Sequence, residues 1–110
     1  MSKKKNGKFI ESHCIAYYKN DLLHREDGPA LEYDNGYQKW YLNGLRHRDN
    51  NLPAVIYKNN DREYWFHGKQ HREDGPAVIY DKQHEYWIHG TQYSEDEFNF
   101  LILEKHKLKD

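Results

Sequence analysis

The stretch "HREDGPA" occupies residues 24–30 and recurs letter for letter at 71–77, and "HRDNNLPA" at 47–54 is the same phrase with one residue added. An active site needs its reacting group once, so a phrase repeated within 110 residues points first to architecture. Aligned on the proline, Pro29, Pro53 and Pro76 stand 24 and 23 residues apart, and Gly44, Gly68 and Gly90 follow them by 15, 15 and 14. Three positions beyond each glycine come His47, His71 and then Tyr93, where the pattern stops. Upstream, "YYKNDLLHR" (17–25) matches "WYLNGLRHR" (40–48) with Asp21 in the glycine's place. The repeat therefore extends over residues 17–93.

Each unit reads as a β-hairpin. The outgoing strands "PALEY" (29–33), "PAVIY" (53–57) and "PAVIY" (76–80) begin at a proline, which the first residue of a strand tolerates. Turn signals "DNG" (34–36), "KNND" (58–61) and "DKQH" (81–84) follow, and the chain returns through "QKWYLN" (38–43), "REYWFH" (62–67) and "HEYWIH" (84–89). Runs this short between Gly and Pro are too brief for helices.

Strand alternation sorts the side chains. Leu31/Val55/Val78 and Tyr33/Tyr57/Tyr80 share a side of the outgoing strands; Trp40/Tyr64/Tyr86 and Leu42/Phe66/Ile88 share a side of the return strands. These sets are the expected core. The opposite side of the return strands carries Tyr41/Trp65/Trp87 and Asn43/His67/His89, either a second half-buried face or a ligand-facing aromatic stripe.

The phrase itself reads as a connector between hairpins. Asp27-Gly28 and Asp74-Gly75 are turn formers, with glycine supplying positive φ, and the proline opens the next strand. Arg25 and Arg72 are expected to reach carboxylates or carbonyls of the neighbouring unit as a rung-to-rung ladder, with His24, His47 and His71 doing the same toward backbone groups. The second copy loses its Asp-Gly pair and gains a residue, a repair that a catalytic loop would not survive.

Residues 1–8 read as a basic flexible tail (Lys3, Lys4, Lys5 and Lys8), residues 9–93 as the hairpin domain and 94–110 as an amphipathic helix packed on it. "YSEDEFNFLILEKHKLK" (93–109) places Ser94 three residues before Glu97, the spacing of a capping box, with acidic residues in the first turn. Phe98, Leu101, Ile102, Lys105 and Leu108 fall on one stripe, and the helix is read as the cap that a repeat stack requires. The uncapped first hairpin leaves an N-terminal edge through which two copies could pair.

Composition narrows the function. Ten tyrosines and an aromatic content of 15% belong to a folded chain, although its mean hydropathy is -1.25. A net charge of -1, with 10 basic and 13 acidic residues over 9–93, argues against nucleic-acid binding driven by phosphate contacts. One cysteine, Cys14, allows no internal disulfide and fits a reducing cytoplasm; no signal-peptide core or long apolar run indicates a membrane. Eight histidines invite a metal, yet no His-x-x-x-His or Cys-x-x-Cys spacing exists, so no metal and no cofactor are expected. Cys14 beside His13 is a poor nucleophile pair, since strand neighbours point to opposite faces, and near-identical Asp27 and Asp74 cannot divide acid from base. No catalytic residue and no enzyme are expected. Binding is the favoured class, through Tyr41, Trp65, Trp87, His67, His89, Arg48 and Arg72. A protein partner is expected there; the alternative is a nucleotide stacked between Trp65 or Trp87 and a guanidinium such as Arg48.

The pattern "W/Y-x-x-G-x-x-H-R-x-D-G-P-A" over residues 17–93 resembles short repeats found in bacteriophage and giant-virus proteins, which are similar to variant MORN repeats. The resemblance implies a mainly β fold, a single open or rolled sheet of antiparallel hairpins with a C-terminal capping α-helix. It implies a scaffold or interaction surface: a non-enzymatic protein acting in a host cytoplasm by blocking a host protein used in defence. The alternatives are a sponge for a nucleotide-type signal and a scaffold with no ligand. MORN repeats follow a Tyr-x-Gly-x-Trp rhythm from which this chain departs, so a lipid-binding role is not implied.

Overall fold

The computed structural model describes residues 3–108, an elongated body of 53 × 30 × 20 Å. Its frame is one antiparallel sheet in which consecutive outgoing and return strands pair. The first strands are β1 (Gly7–Ile10), β2 (Cys14–Lys19), β3 (Leu22–Leu23), β4 (Leu31–Tyr33) and β5 (Gln38–Lys39). Then come β6 (Tyr41–Leu42), β7 (Leu45–Arg46), β8 (Val55–Ile56), β9 (Arg62–Glu63), β10 (Trp65–Phe66) and β11 (Lys69–Gln70). The last are β12 (Val78–Tyr80), β13 (Gln83–Ile88), β14 (Thr91–Tyr93) and the helix α1 (Glu95–Leu108). The sheet runs β1-β2-β4-β5-β8-β9-β12-β13-β14, with β3 on β2, while β6-β7 and β10-β11 form separate two-stranded hairpins.

Those small hairpins reveal what the repeat builds. The first two return strands break at a ring, Trp40 or Tyr64, whose N–H turns to the carbonyl of Ala54 or Ala77 at 2.7 Å, while the third, β13, runs on unbroken. The chain then makes a second, tighter hairpin. Its tip residues, Asn20-Asp21, Asn43-Gly44, His67-Gly68 and His89-Gly90, all have left-handed φ (48–50° at the first residue of each tip, and 80° at Gly68). That is the two-residue turn that matches the twist of flanking strands, and Asn and His are among the few side chains that enter it.

Successive tips are stacked by a repeated bond. The N–H of Asn43 donates to His24 Nδ1, that of His67 to His47 Nδ1 and that of His89 to His71 Nδ1, each at 2.9 Å. Beside these, Gly44, Gly68 and Gly90 donate to the carbonyls of Leu23, Arg46 and Gln70 at 2.8–2.9 Å. The same pair of bonds occurs once more at the start: Asn20 N–H donates to Asn6 Oδ1 and Asp21 N–H to the Lys5 carbonyl, both at 2.9 Å. Residues 5–8 are therefore part of the architecture rather than the end of a flexible tail, because Asn6 supplies the acceptor that histidine supplies later and Gly7 opens β1. Met1 and Ser2 lie outside the described residues.

The expected roles of arginine and glycine are corrected. Arg25, Arg48 and Arg72 each bond a carbonyl of their own phrase, that of Pro29, Pro53 or Pro76, at 3.1–3.2 Å, and Arg25 also reaches the Glu32 carboxylate on β4 at 2.8 Å, so the side-chain bond repeated from unit to unit is the histidine's and not the arginine's. Gly28 and Gly75 do not have positive φ. At both positions the guanidinium folds back over the turn, so a Cβ there would stand 2.9 Å from Arg25 Cζ or 3.1 Å from Arg72 Cζ and would displace the end of the arginine.

The core is a spine of small residues. Ala16, Ala30, Ala54, Val55 and Ala77 are fully buried and Val78 nearly so. Val55 and Val78 both pair with Glu63, so the outgoing Val/Tyr set shares a face with Glu63 and Trp65, while Trp40, Tyr64 and Tyr86 take the other. The two sets expected to form one core are thus on opposite faces of a single sheet. With no second sheet to cover either, most rings remain half-buried; Tyr64 is the buried exception and Phe66 is exposed.

The helix ends the stack. The capping box forms in both directions, Ser94 N–H to Glu97 Oε1 at 2.8 Å and Glu97 N–H to Ser94 Oγ at 3.1 Å. Phe98, 4% exposed, packs its ring 4.9 Å from that of Tyr86. The helix spans Glu95–Leu108; residues 109 and 110 lie outside the described residues. No described helix is long and apolar enough to cross a membrane.

The alanine spine is the point of closest approach, so Ala54→Leu is expected to cost about 1–3 kcal/mol of unfolding free energy through overpacking. Ile10→Ala, at a side chain 78% exposed, should stay within about 0.5 kcal/mol. Urea denaturation followed by tryptophan fluorescence compares them; equal stabilities for the two variants would show that the spine is loosely packed.

Candidate functional site

The repeated phrase accounts for its own chemistry. Because each rung histidine accepts at Nδ1, its proton sits on Nε2, and that nitrogen faces a carboxylate two residues on. Glu26 stands 4.0 Å from His24, Asp49 2.8 Å from His47 and Glu73 3.6 Å from His71. Both ring nitrogens of His47 are thus hydrogen-bonded, whereas at His24 and His71 the carboxylate lies beyond hydrogen-bond reach of Nε2. The next tip covers the ring: His67 stacks on His47 with centroids 4.2 Å apart and His89 on His71 at 4.1 Å. His67 and His89, read as binding residues, are thus exposed rings at the tips that also seal the rung beneath them.

The arginines occupy one face of the sheet. Arg25, Arg48 and Arg72 lie over the rings of Tyr17, Trp40 and Tyr64 at 3.9–4.0 Å from guanidinium carbon to centroid. At the fourth position of this series Tyr86 meets Phe98 of α1, so the helix substitutes an apolar ring for the missing guanidinium. Arg25 and Arg72 also bond Asp27 and Asp74 at 2.9 and 2.7 Å, which uses the two aspartates. Between successive phrases lie two equivalent clefts of about 350 and 370 Å³, with Leu52, the residue near the insertion in the second copy, lining both.

The opposite face is organised by a carboxylate. Glu63, 4% exposed, accepts from Tyr57 Oη and Trp65 Nε1, each at 2.8 Å, and from Tyr80 Oη, with Arg46 Nη1 3.9 Å away. Burial by itself raises its pKa, but the donors from Tyr80, Trp65, Tyr57 and Arg46 outweigh it and hold the carboxyl below its usual range. Burial and Glu63 together push the Tyr80 phenol well above the ordinary tyrosine range. Arg46 continues the network, donating from Nε to Tyr41 Oη at 3.0 Å and lying 5.1 Å over the Trp65 ring. In the next unit Trp87 Nε1 donates to Glu85 Oε1 at 2.9 Å.

Tyr41, Trp65 and Trp87 therefore come together on this carboxylate face, half-buried and fixed by hydrogen bonds. Arg48 and Arg72 do not join them. Arg48 already has Trp40 as its ring partner on the other side of the sheet, so Arg48 and the Trp65 indole do not form the two jaws of a base-binding clamp. Glu63 and Arg46 were missed in the sequence. The available signal was "REYW" against "HEYW": a glutamate two residues before a tryptophan on a strand must share its face.

Two chemical candidates can be weighed by their donors. His71, Glu73 and His89 each bring one ligand atom within 4.8 Å of the others. Metal ligation at His71 Nε2 requires a lone pair where the rung has placed the proton, and Glu73 is bonded to Lys105 Nζ at 2.5 Å, so an ion there breaks a rung and an ion pair. Burial, followed by Glu11, pushes the Cys14 thiol up, away from a nucleophilic thiolate. No protein-family model matches the chain, and no curated protein or solved structure matches it.

The rung at His71 makes stability pH-dependent. Burial, then the His89 ring, holds the His71 pKa below the ordinary histidine value. The unfolded chain then binds the proton more readily, so this contribution is complete above about pH 6.5 and is lost as the pH falls below it. The melting temperature is expected to drop between about pH 7 and pH 5. His71→Asn, which offers an amide oxygen as Asn6 does in the first rung, is expected to remove part of that drop. A wild-type melting temperature that does not fall across the window would contradict the neutral, accepting ring.

Proposed function

We propose that this chain is a non-enzymatic repeat protein that works by binding a protein partner through its carboxylate face. The observation that carries the reading is the Glu63 network, which holds Tyr57, Tyr80, Trp65 and Arg46 in place on a face that α1 does not cover. Large rings and an arginine fixed before association lose little side-chain entropy on binding, and these residue types concentrate binding energy. Rings at even spacing on a rigid sheet suit an extended partner surface rather than a small molecule. The resemblance to phage and giant-virus repeats makes a host protein the expected partner, with occlusion of that protein as the effect. Tyr41 and Trp87 flank the network and are the contacts on which the reading relies.

A tagged chain used as bait in host lysate is expected to yield a partner that re-forms a stoichiometric complex from purified components. Trp87→Ala is expected to weaken that complex at least about tenfold, and Arg72→Ala on the other face to leave it within about threefold, each variant being checked for an unchanged fold by circular dichroism. A complex indifferent to Trp87→Ala and Tyr41→Ala but lost with Arg72→Ala would move the site to the other face. Thermal stabilisation by a nucleotide, with no protein complex formed, would replace the proposal with the sponge.

A further inference from the structure

The helix α1 is held to the sheet at three points: the buried Phe98 ring against Tyr86, Tyr86 Oη donating to Glu95 Oε2 at 2.7 Å, and Lys105 Nζ on Glu73. Its outer surface carries exposed apolar side chains among the polar ones. Phe100 is 62% exposed and Leu103, three residues on, 55%, and Phe100 lines a shallow groove of about 400 Å³ with Tyr93, Asp96, Glu97 and Leu101. An exposed Phe and Leu side by side on a chain this hydrophilic mark a surface that another surface covers.

The charge order indicates which surface. Asp96, Phe100, Leu103 and Lys107 are spaced four, three and four residues apart, the spacing of one helical stripe. The stripe is acidic at the N-terminal end, apolar in the middle and basic at the C-terminal end. Asp96 with Lys107 and Phe100 with Leu103 share one midpoint, between Leu101 and Ile102, and Glu97 with His106 shares it too. A two-fold axis through that midpoint carries the stripe onto its own complement. Phe100 of one copy then meets Leu103 of the other, and Asp96 meets Lys107 at both ends. A parallel arrangement would instead oppose Asp96 to Asp96. The intrahelical contact of Lys107 with Glu104, at 3.3 Å between exposed groups, is weak enough to yield.

We propose that a second copy of this chain docks on α1, antiparallel and helix to helix, forming an isologous dimer. The contact is independent of the carboxylate face and leaves it free. A single pair of helices of 14 residues buries less than the about 1,200 Å² of a stable standard interface, so the dimer is weak and concentration-dependent.

Sedimentation equilibrium of the full chain from about 5 μM to 1 mM, spanning micromolar to millimolar dissociation constants, is the test. A monomer–dimer equilibrium is expected, abolished by Phe100→Asp at a position exposed enough to leave the fold intact. Asp96→Lys and Lys107→Asp are each expected to weaken it about tenfold, and the two together to restore it to within about threefold, because the swapped stripe is again its own complement. A chain monomeric throughout, a dimer that survives Phe100→Asp, or a dimer removed only by Ile10→Pro on the β1 edge would each overturn the proposal. So would a double charge swap that weakens the dimer as the sum of its parts. Binding of Phe100 to lipid vesicles by a chain that stays monomeric would assign the stripe to a membrane surface instead.

Discussion

A backbone N–H at the tip of each small hairpin, donated to a side-chain acceptor of the unit before it, is the bond on which this molecule is assembled. The acceptors are Asn6 Oδ1 and then Nδ1 of His24, His47 and His71, always at 2.9 Å. A single-layer sheet with a core of alanine and valine has little apolar burial with which to oppose the entropy of ordering its turns. Each rung adds about 1 kcal/mol net and, more importantly, satisfies a donor that the left-handed tip leaves with no strand partner. In a stack where each unit touches only its neighbours, a bond repeated at every junction sets the spacing of the whole.

That spacing distributes the work between two faces. On one, guanidinium groups lie over Tyr17, Trp40 and Tyr64, and Phe98 takes the same place over Tyr86 where the chain stops repeating and becomes helical. This face is occupied with holding the phrases to the rings behind them. On the other, Glu63 gathers Tyr57, Tyr80, Trp65 and Arg46, and Glu85 holds Trp87. A buried carboxylate that is fully hydrogen-bonded fixes its neighbours, and here it fixes rings whose outer surfaces remain available. Joinery and the proposed recognition surface are thus separated by the thickness of one strand.

How much of this was legible follows from what local rules encode. The hairpin repeat, the capping box of Ser94 and Glu97 and the histidine contact to backbone all follow from spacing and turn chemistry, and all are present; the outgoing strands begin two residues after each proline, at Leu31, Val55 and Val78, rather than at the proline itself. The break in the first two return strands at Trp40 and Tyr64 was not legible, since period-two alternation reads straight through it; the break depends on a bond to the alanine carbonyl just before the next strand. Cross-strand register, with Val55 and Val78 facing Glu63, was hidden for the same reason, and it placed the expected core sets on opposite faces. Gly28 and Gly75 were assigned a positive φ that neither has; what lies beside each is the guanidinium of the arginine three residues earlier, folded back over the turn, a side-chain placement that no turn rule contains. Asn6 was passed over within a run of lysines because a rung acceptor cannot be recognised before the ladder is known.

The most direct measurement of the central bond is the tautomer of its acceptors. Long-range proton–nitrogen NMR spectra of the uniformly nitrogen-labelled chain near neutral pH report separately on the two ring nitrogens of each histidine. His24, His47 and His71 are expected to show an unprotonated Nδ1 and a protonated Nε2, with the amide protons of Asn43, His67 and His89 protected from exchange. Rings protonated at Nδ1, or free to interconvert, with unprotected tip amides, would mean that the units are not joined in this way.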